Sequence, residues 1–183
     1  MQTFLPYEDS RLCAKVLDIK RHGNQRNEAL TILKNVLGIS TSWQHHPAVK
    51  MWMPYPGWLA HYGIIICETY SFYDSVADQF RAFDLPLGEK PWWLGDERLH
   101  SSHRSNLLRK DKLWYSRYGW SESDDIPYFW PVVHDPRSFT KSSNPSLAEE
   151  KSTQERSTST GNLCSRYSWR SIEQAKRAVQ QNI

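Results

Sequence analysis

The amino-acid composition changes abruptly near residue 138. Residues 138–160 consist mostly of Ser, Thr, Lys and Glu and contain few apolar side chains. Such a segment cannot bury enough apolar surface to offset the entropy lost on ordering. We therefore assign residues 138–183 to a disordered Ser/Thr-rich linker that ends in a short amphipathic helix, where Ser171 and Gln174 form a capping-box pattern. The folded domain must come from residues 1–137.

Within residues 1–137 the apolar positions recur at helical spacing, and no alternating pattern is long enough to support a sheet. The sequence therefore predicts an all-α fold, a compact single-domain helical bundle with long loops. Residues 1–7 form a short apolar leader that we expect to pack against the body. The predicted helices cover residues 10–18, 28–37, a unit that opens at Pro47, 58–73, and a segment that Asp96 caps and that continues to residue 110. The segments between them are predicted as a turn at 21–26, a loop at 80–93, and an extended aromatic strap at 124–131 that closes the core.

Basic and aromatic residues are concentrated between Arg98 and Tyr118. This stretch holds six Lys or Arg against one acid, Asp111. Basic side chains neutralise phosphates, and flat rings stack on bases or wedge into a duplex, so the mixture suits nucleic acid. The alternative is an ordinary core helix with a solvated basic face, and the stretch alone leaves both interpretations open. The candidate DNA-binding residues here are His103, Arg104, Arg109, Lys110, Lys112, Trp114, Tyr115 and Tyr118.

A second basic cluster surrounds a single carboxylate, Glu28. Glu28 is the only acid between Asp18 and Glu68, and Arg21 and Arg26 lie close to it in the sequence. A carboxylate beside guanidinium groups stays ionised, which suits the stabilisation of a cationic intermediate. The alternative is a glutamate at a helix start, favoured by the helix dipole and paired with arginine.

Several classes of site are disfavoured by the sequence. Three widely spaced cysteines without a CxxC motif argue against a disulfide framework, and no signal peptide or long apolar run is visible. We therefore expect a cytoplasmic, reducing environment and no membrane association. His45 and His46 are adjacent, and His100 with His103 lacks the spacing of known zinc motifs, so we expect no metal. No nucleotide-binding glycine motif is present, and we expect no organic cofactor.

The order of these features resembles the pyrimidine dimer DNA glycosylase (endonuclease V-like) family, in particular a branch of phage and bacterial proteins that begin MQTFLPY. The resemblance covers about residues 1–132. It rests on segments 1–7, 20–30, 46–52, 93–96, 102–111 and 125–131.

The resemblance implies a chemistry that needs no cofactor. The free α-amine of the chain terminus attacks C1′ of the damaged nucleotide, displaces the base and leaves an imine, after which β-elimination cuts the strand. Because Gln2 is too large to permit removal of the initiator methionine, this amine belongs to Met1. Glu28 would stabilise the cationic sugar and shuttle protons. Arg21 and Arg26 would hold the flanking phosphates, and the rings after Lys112 would fill the helix where a nucleotide has been turned out.

The implied partner is damaged double-stranded DNA, bound by a monomer in the cytoplasm, which is the host cytoplasm if the gene is carried by a phage. Two alternatives remain at this stage. One is a helical DNA-binding module without amine chemistry. The other is a metal-dependent nuclease that uses the histidines.

Overall fold

The fold is all-α, as the sequence predicts. The structure is a computed structural model, and it describes residues 1–69 and 74–131. No strand occurs within these ranges. The predicted linker and terminal helix lie outside the described residues. The described ranges contain seven α-helices, followed by one 3-10 turn (Ser116–Tyr118). The α-helices are α1 (Ser10–Val16), α2 (Ile19–Val36), α3 (Pro47–Trp52), α4 (Pro56–Glu68), α5 (Asp74–Arg81), α6 (Glu97–Lys110) and α7 (Lys112–Tyr115).

Aspartates cap the helices that carry the site. Asp9 accepts hydrogen bonds from the first turn of α1. Asp96 accepts one from the first turn of α6, as predicted. Asp18 begins a new helix instead of ending the first one, because its carboxylate accepts the Arg21 N–H. The predicted turn at 21–26 is therefore wrong, and α2 passes through Gly23 without interruption. A glycine inside a helix costs only about 1 kcal/mol, which the burial of one face of α2 offsets.

The central packing element is α4, which is apolar on nearly all sides and contacts α1, α2 and α5. It begins at Pro56 and ends at Glu68, so it is shorter than the predicted helix over 58–73. The predicted loop at 80–93 begins only after α5 ends at Arg81. At Gly63 a Cβ would lie 2.3 Å from the Phe80 ring, so only glycine permits this approach of α5 to α4. None of the helices in the described ranges combines the length and apolarity needed to span a bilayer.

Helix α6 holds two extended segments, the leader (residues 1–7) and the strap (residues 124–131). On the leader side, the Leu5 N–H donates to His103 Nδ1 at 3.1 Å, and His100 Nδ1 lies 2.8 Å from the Leu5 carbonyl. On the strap side, Ser105 Oγ accepts a backbone N–H at 3.0 Å and Ser102 Oγ accepts another at 3.1 Å. The strap therefore packs on the body, as predicted, and the polar face of α6 is buried between the two segments.

Candidate active site

A cavity of about 370 Å³ opens where the leader begins. Helix α2, the end of α6, the leader and the strap all contribute side chains to its wall. The lining residues are Met1, Gln2, Phe4, Lys20, Arg21, Asn24, Gln25, Glu28, Lys110 and Tyr128.

Glu28 holds the start of the leader. Its Oε2 accepts the backbone N–H of Gln2 at 2.6 Å. Glu28 lies nine residues after Ile19, the first residue of α2, and so is far from the helix start. The dipole-stabilised alternative for this glutamate is therefore wrong, since that effect is confined to the first turn. The carboxylate faces the chain terminus and the cavity.

A second residue of α2, Gln25, fixes the course of the leader. Its Oε1 accepts the Phe4 N–H at 2.8 Å, and its Nε2 donates to the Gln2 carbonyl at 2.6 Å. The Tyr62 hydroxyl donates to the Phe4 carbonyl at 2.9 Å. Trp52 Nε1 adds a bond to the hydroxyl of the leader's threonine at 2.9 Å. Because both edges of the leader backbone are paired with buried groups, Met1 is directed to the cavity.

His46 is the third ionisable group near the leader terminus. Burial lowers its pKa, the positive amino group of Met1 lowers it further, and the Glu28 charge opposes them. These electrostatic interactions place the amino group, the carboxylate and the imidazole in one neighbourhood. His46 Nδ1 accepts the Ala48 N–H at 3.1 Å, so the neutral ring carries its proton on Nε2.

The rim of the cavity is positively charged. Lys20, Arg21 and Lys110 all line it. Arg21 is held in place, because its guanidinium donates to Asp18 Oδ2 at 2.6 Å and to the Lys110 carbonyl at 2.9 Å. The Tyr115 hydroxyl donates to the same Asp18 oxygen at 2.6 Å. Burial would raise the pKa of Asp18, but the hydrogen bonds from Tyr115 and Arg21 lower it overall, so this carboxylate is ionised and anchors Arg21.

Comparison with known protein families agrees with this geometry. Residues 1–71 match the pyrimidine dimer DNA glycosylase family. The match confirms the resemblance to the family over residues 1–71, which is less than half of the chain, and supports a DNA repair glycosylase. The matched segment supplies Met1, Arg21 and Glu28, and with them most of the cavity wall. Comparisons with curated proteins and with solved structures gave no match.

Three of the sequence-predicted DNA contacts are buried in the structure. His103 is 1% exposed, and burial followed by repulsion from His100 lowers its pKa to about 3. Tyr115 is completely buried and donates to Asp18. Arg104 lies inside, where it donates to the Pro6 carbonyl and pairs with two glutamates. All three side chains are buried and bonded to other parts of the fold, so the structure gives them a structural role and does not support direct contact with DNA.

The other predicted contacts remain at the surface, but they do not all lie at the cavity. Arg109, Lys110 and Lys112 are exposed, and of these only Lys110 lines the cavity. Lys112 forms an ion pair with Asp124 at 3.2 Å. Arg26 is partly buried, donates to Asn27 Oδ1, and does not line the cavity.

Two of the predicted rings pack mainly on the protein itself. Trp114 is half-buried, donates from Nε1 to the Val16 carbonyl at 3.2 Å, and carries the Arg117 guanidinium over its face. Tyr118 is half-buried and stacks on Trp120 with 5.4 Å between ring centroids. Neither ring lines the cavity.

Sequence reasoning missed six residues of the cavity wall: Gln2, Phe4, Lys20, Asn24, Gln25 and Tyr128. Lys20 stands beside Arg21 in the basic cluster and could have been chosen from that position. Gln2, Asn24 and Tyr128 carry no sequence signal that separates them from ordinary polar or core residues. The four histidines considered as metal ligands do not form a site, since no group of three or more His, Cys, Asp or Glu converges within residues 1–69 and 74–131.

Proposed function

We propose that this protein is a DNA glycosylase with lyase activity, which acts on pyrimidine dimers or another damaged base through an imine formed by the Met1 amine. The observation that carries the proposal is the Glu28 carboxylate, which is bonded to the leader one residue from that amine and faces a cavity with a cationic rim. A DNA-binding module without catalytic activity would not require a carboxylate at this position, because a negative charge there opposes the binding of phosphates.

The base-release step requires a nucleophile and a second group that stabilises the developing positive charge and transfers protons. The amine lone pair of Met1 attacks C1′, the bond between C1′ and the base nitrogen breaks, and the base leaves with the electron pair and takes up a proton. The nitrogen lone pair then forms the double bond to C1′ as the C1′–O4′ bond breaks, O4′ takes up a proton, and the open sugar is left as a protonated imine. Glu28 would stabilise the positive charge that develops on the sugar and accept the proton released by the amine.

Strand cleavage follows from the same intermediate. The imine makes the C2′ proton acidic, and its removal expels the 3′ phosphate by β-elimination. Glu28 is the carboxylate that lines the cavity, and it would serve as the base for this step.

The substrate is held by charge at the cavity rim. Lys20 and Lys110 are exposed and free to approach phosphates on either side of a turned-out nucleotide. Arg21 is already oriented by Asp18, so little side-chain entropy is lost when it meets a phosphate. Arg26, Arg109 and Lys112 lie outside the cavity and would add general affinity for the duplex.

Borohydride trapping tests this proposal. Reduction of the imine should give a covalent adduct between the protein and an oligonucleotide that carries a pyrimidine dimer, and peptide mass analysis should find the adduct on Met1. A matched protein with one extra residue before Met1 should give no adduct at Met1. DNA binding without any adduct across a panel of damaged bases would instead support the non-catalytic binding module.

A further inference from the structure

Trp43, in the loop between α2 and α3, is an exposed tryptophan whose backbone is held in place. The residue is 49% exposed. Its N–H donates to Asn35 Oδ1 at 2.9 Å, and its carbonyl accepts the His46 N–H at 2.9 Å. Asn35 is itself buried, and its Nδ2 donates to the Thr31 carbonyl of α2 at 2.9 Å. Because both backbone groups of Trp43 are paired, the loop presents the indole ring to solvent from a fixed point.

A row of aromatic rings connects Trp43 with the cavity. The Trp43 ring packs edge-on against His46 with 5.8 Å between centroids, and His46 packs edge-on against Trp130 at 6.1 Å. Trp130 lies 5.7 Å from Tyr128, which lines the cavity. Burial and then the amino group of Met1 lower the pKa of His46, so the imidazole lies near the proposed nucleophile. Trp43 is therefore the exposed end of a row that begins in the cavity wall.

The charge of the surrounding segment favours a polyanion. Residues 29–67 contain no Asp or Glu. His45 and Lys50 are exposed, one on the loop and one on α3. Aromatic rings held among such side chains bind nucleic acid by stacking on bases, which is tolerant of sequence because every base has a flat face. In a paired duplex the neighbouring base pairs cover those faces, so the ring of Trp43 suits DNA whose bases are unpaired.

We propose that Trp43 stacks on an unpaired base of the DNA strand that continues past the cavity, so that the substrates include damaged bases next to single-stranded DNA. The basic rim of the cavity neutralises the phosphates of paired and unpaired DNA alike, whereas a stacking ring distinguishes between them. The substrate class rests on the proposed function, but the binding of unpaired DNA does not depend on catalysis and can be measured separately.

The affinity for undamaged DNA tests this stacking surface. The probes are a single-stranded oligothymidine of about ten nucleotides and a fully paired duplex of the same length. We expect Trp43→Leu to raise Kd for the single strand on the order of 10-fold, while Kd for the duplex stays within about twofold. The slope of log K against log salt should not change, because no charge is removed. Trp43→Phe keeps a flat ring and should recover most of the lost affinity.

Trp58→Leu is the matched control. Trp58 also packs edge-on against the histidine three residues later, with 6.2 Å to the His61 ring, and neither residue lines the cavity. This variant should bind both probes as the unaltered protein does, and thermal unfolding should show that all three variants fold. Unchanged affinity of Trp43→Leu for the single strand would overturn the proposal. An equal loss on the single strand and the duplex would overturn it as well, because Trp43 would then only support the loop.

Base release from a pyrimidine dimer connects this surface with the proposed function. With the dimer in a single strand, kcat/KM of Trp43→Leu should fall by the same factor as the affinity, and with the dimer in a duplex it should not change. If the unaltered protein releases no base from either DNA, the proposed function fails. A selective loss of single-strand binding in Trp43→Leu would still support the stacking surface in that case.

Discussion

Replacement of Arg104 by methionine separates a structural role from a role in DNA binding. The Arg104 side chain is 11% exposed, and its guanidinium contacts the Pro6 carbonyl at 2.9 Å, Glu122 Oε1 at 2.5 Å and Glu97. Methionine fills a similar volume but removes the charge and all three donors. Glu122, whose side chain is 12% exposed, would then be left as an uncompensated carboxylate.

The structure sets the size of this effect. Removal of one partner of a buried ion pair costs about 3–5 kcal/mol, because the other charge stays desolvated. Glu97 is 74% exposed and adds little, since exposed pairs contribute about 0–1 kcal/mol. We therefore expect Arg104→Met to lower the free energy of unfolding by about 3 kcal/mol. The double variant Arg104→Met with Glu122→Gln should recover about half of that loss, because the stranded charge is gone.

Urea denaturation at neutral pH measures these free energies, and an oligonucleotide titration under folding conditions measures DNA affinity. Arg98→Met is the matched control, because Arg98 is 64% exposed and its contacts, an ion pair with Asp96 and a guanidinium 4.7 Å from the centre of the Phe129 ring, lie at the surface. Its loss should cost less than about 1 kcal/mol. Arg104→Met should bind DNA as tightly as the unaltered protein wherever it is folded. Full stability together with weakened DNA binding would refute this reasoning and restore Arg104 to the DNA surface.

Three further outcomes are expected. Glu28→Gln should retain DNA binding but lose strand cleavage by about 10²–10⁴-fold in a gel assay, and unchanged cleavage would remove Glu28 from the chemistry. Lys20→Ala should weaken DNA binding and reduce the slope of log K against log salt by about 0.9, whereas Lys34→Ala, about 21 Å further along α2, should leave the slope unchanged. Stability should fall as the pH drops below about 6.5, the ordinary pKa of histidine. Burial and then Arg26 lower the pKa of His22 to about 4, and burial lowers that of His103 to about 3. Both rings therefore stay neutral in the folded protein while the same histidines of the unfolded chain take up protons. Each should cost about 2 kcal/mol between pH 7 and pH 5, and a flat urea-denaturation profile over that interval would contradict the assignment.

Local chemistry made part of the fold predictable from the sequence. The caps at Asp9 and Asp96 and the proline at the start of α3 act within one helical turn, so the residue type alone determines the boundary. Gly38, with φ of +69°, directly follows the C-cap of α2, where a residue without Cβ is favoured. The boundary at Asp18 could not be resolved in the same way, because a carboxylate there could end one helix or cap the next.

The sequence could not show whether the polar face of α6 is exposed or buried. His103, Arg104 and Ser105 have the composition of a solvated or DNA-binding face, yet they are buried. They are buried because the leader and the strap cover this face of α6. The backbone N–H and carbonyl groups of both segments then form hydrogen bonds with the polar side chains of α6. Nothing in the spacing of a helix reveals that two segments about 98 and 21 residues away will cover it.

The same burial determines where the chemistry can take place. A terminal amine is a useful nucleophile only if it is held, and chain termini are usually mobile. Here Gln25 and Glu28 on α2 accept hydrogen bonds from the leader backbone, and His103 on α6 accepts another. The polar face of α6 therefore serves the site indirectly, by fixing the leader. In the proposed function, direct contact with DNA would fall to the rim formed by Lys20, Arg21 and Lys110. It follows that substitutions on the buried face of α6 should weaken catalysis through the position of Met1 before they affect the affinity for the duplex.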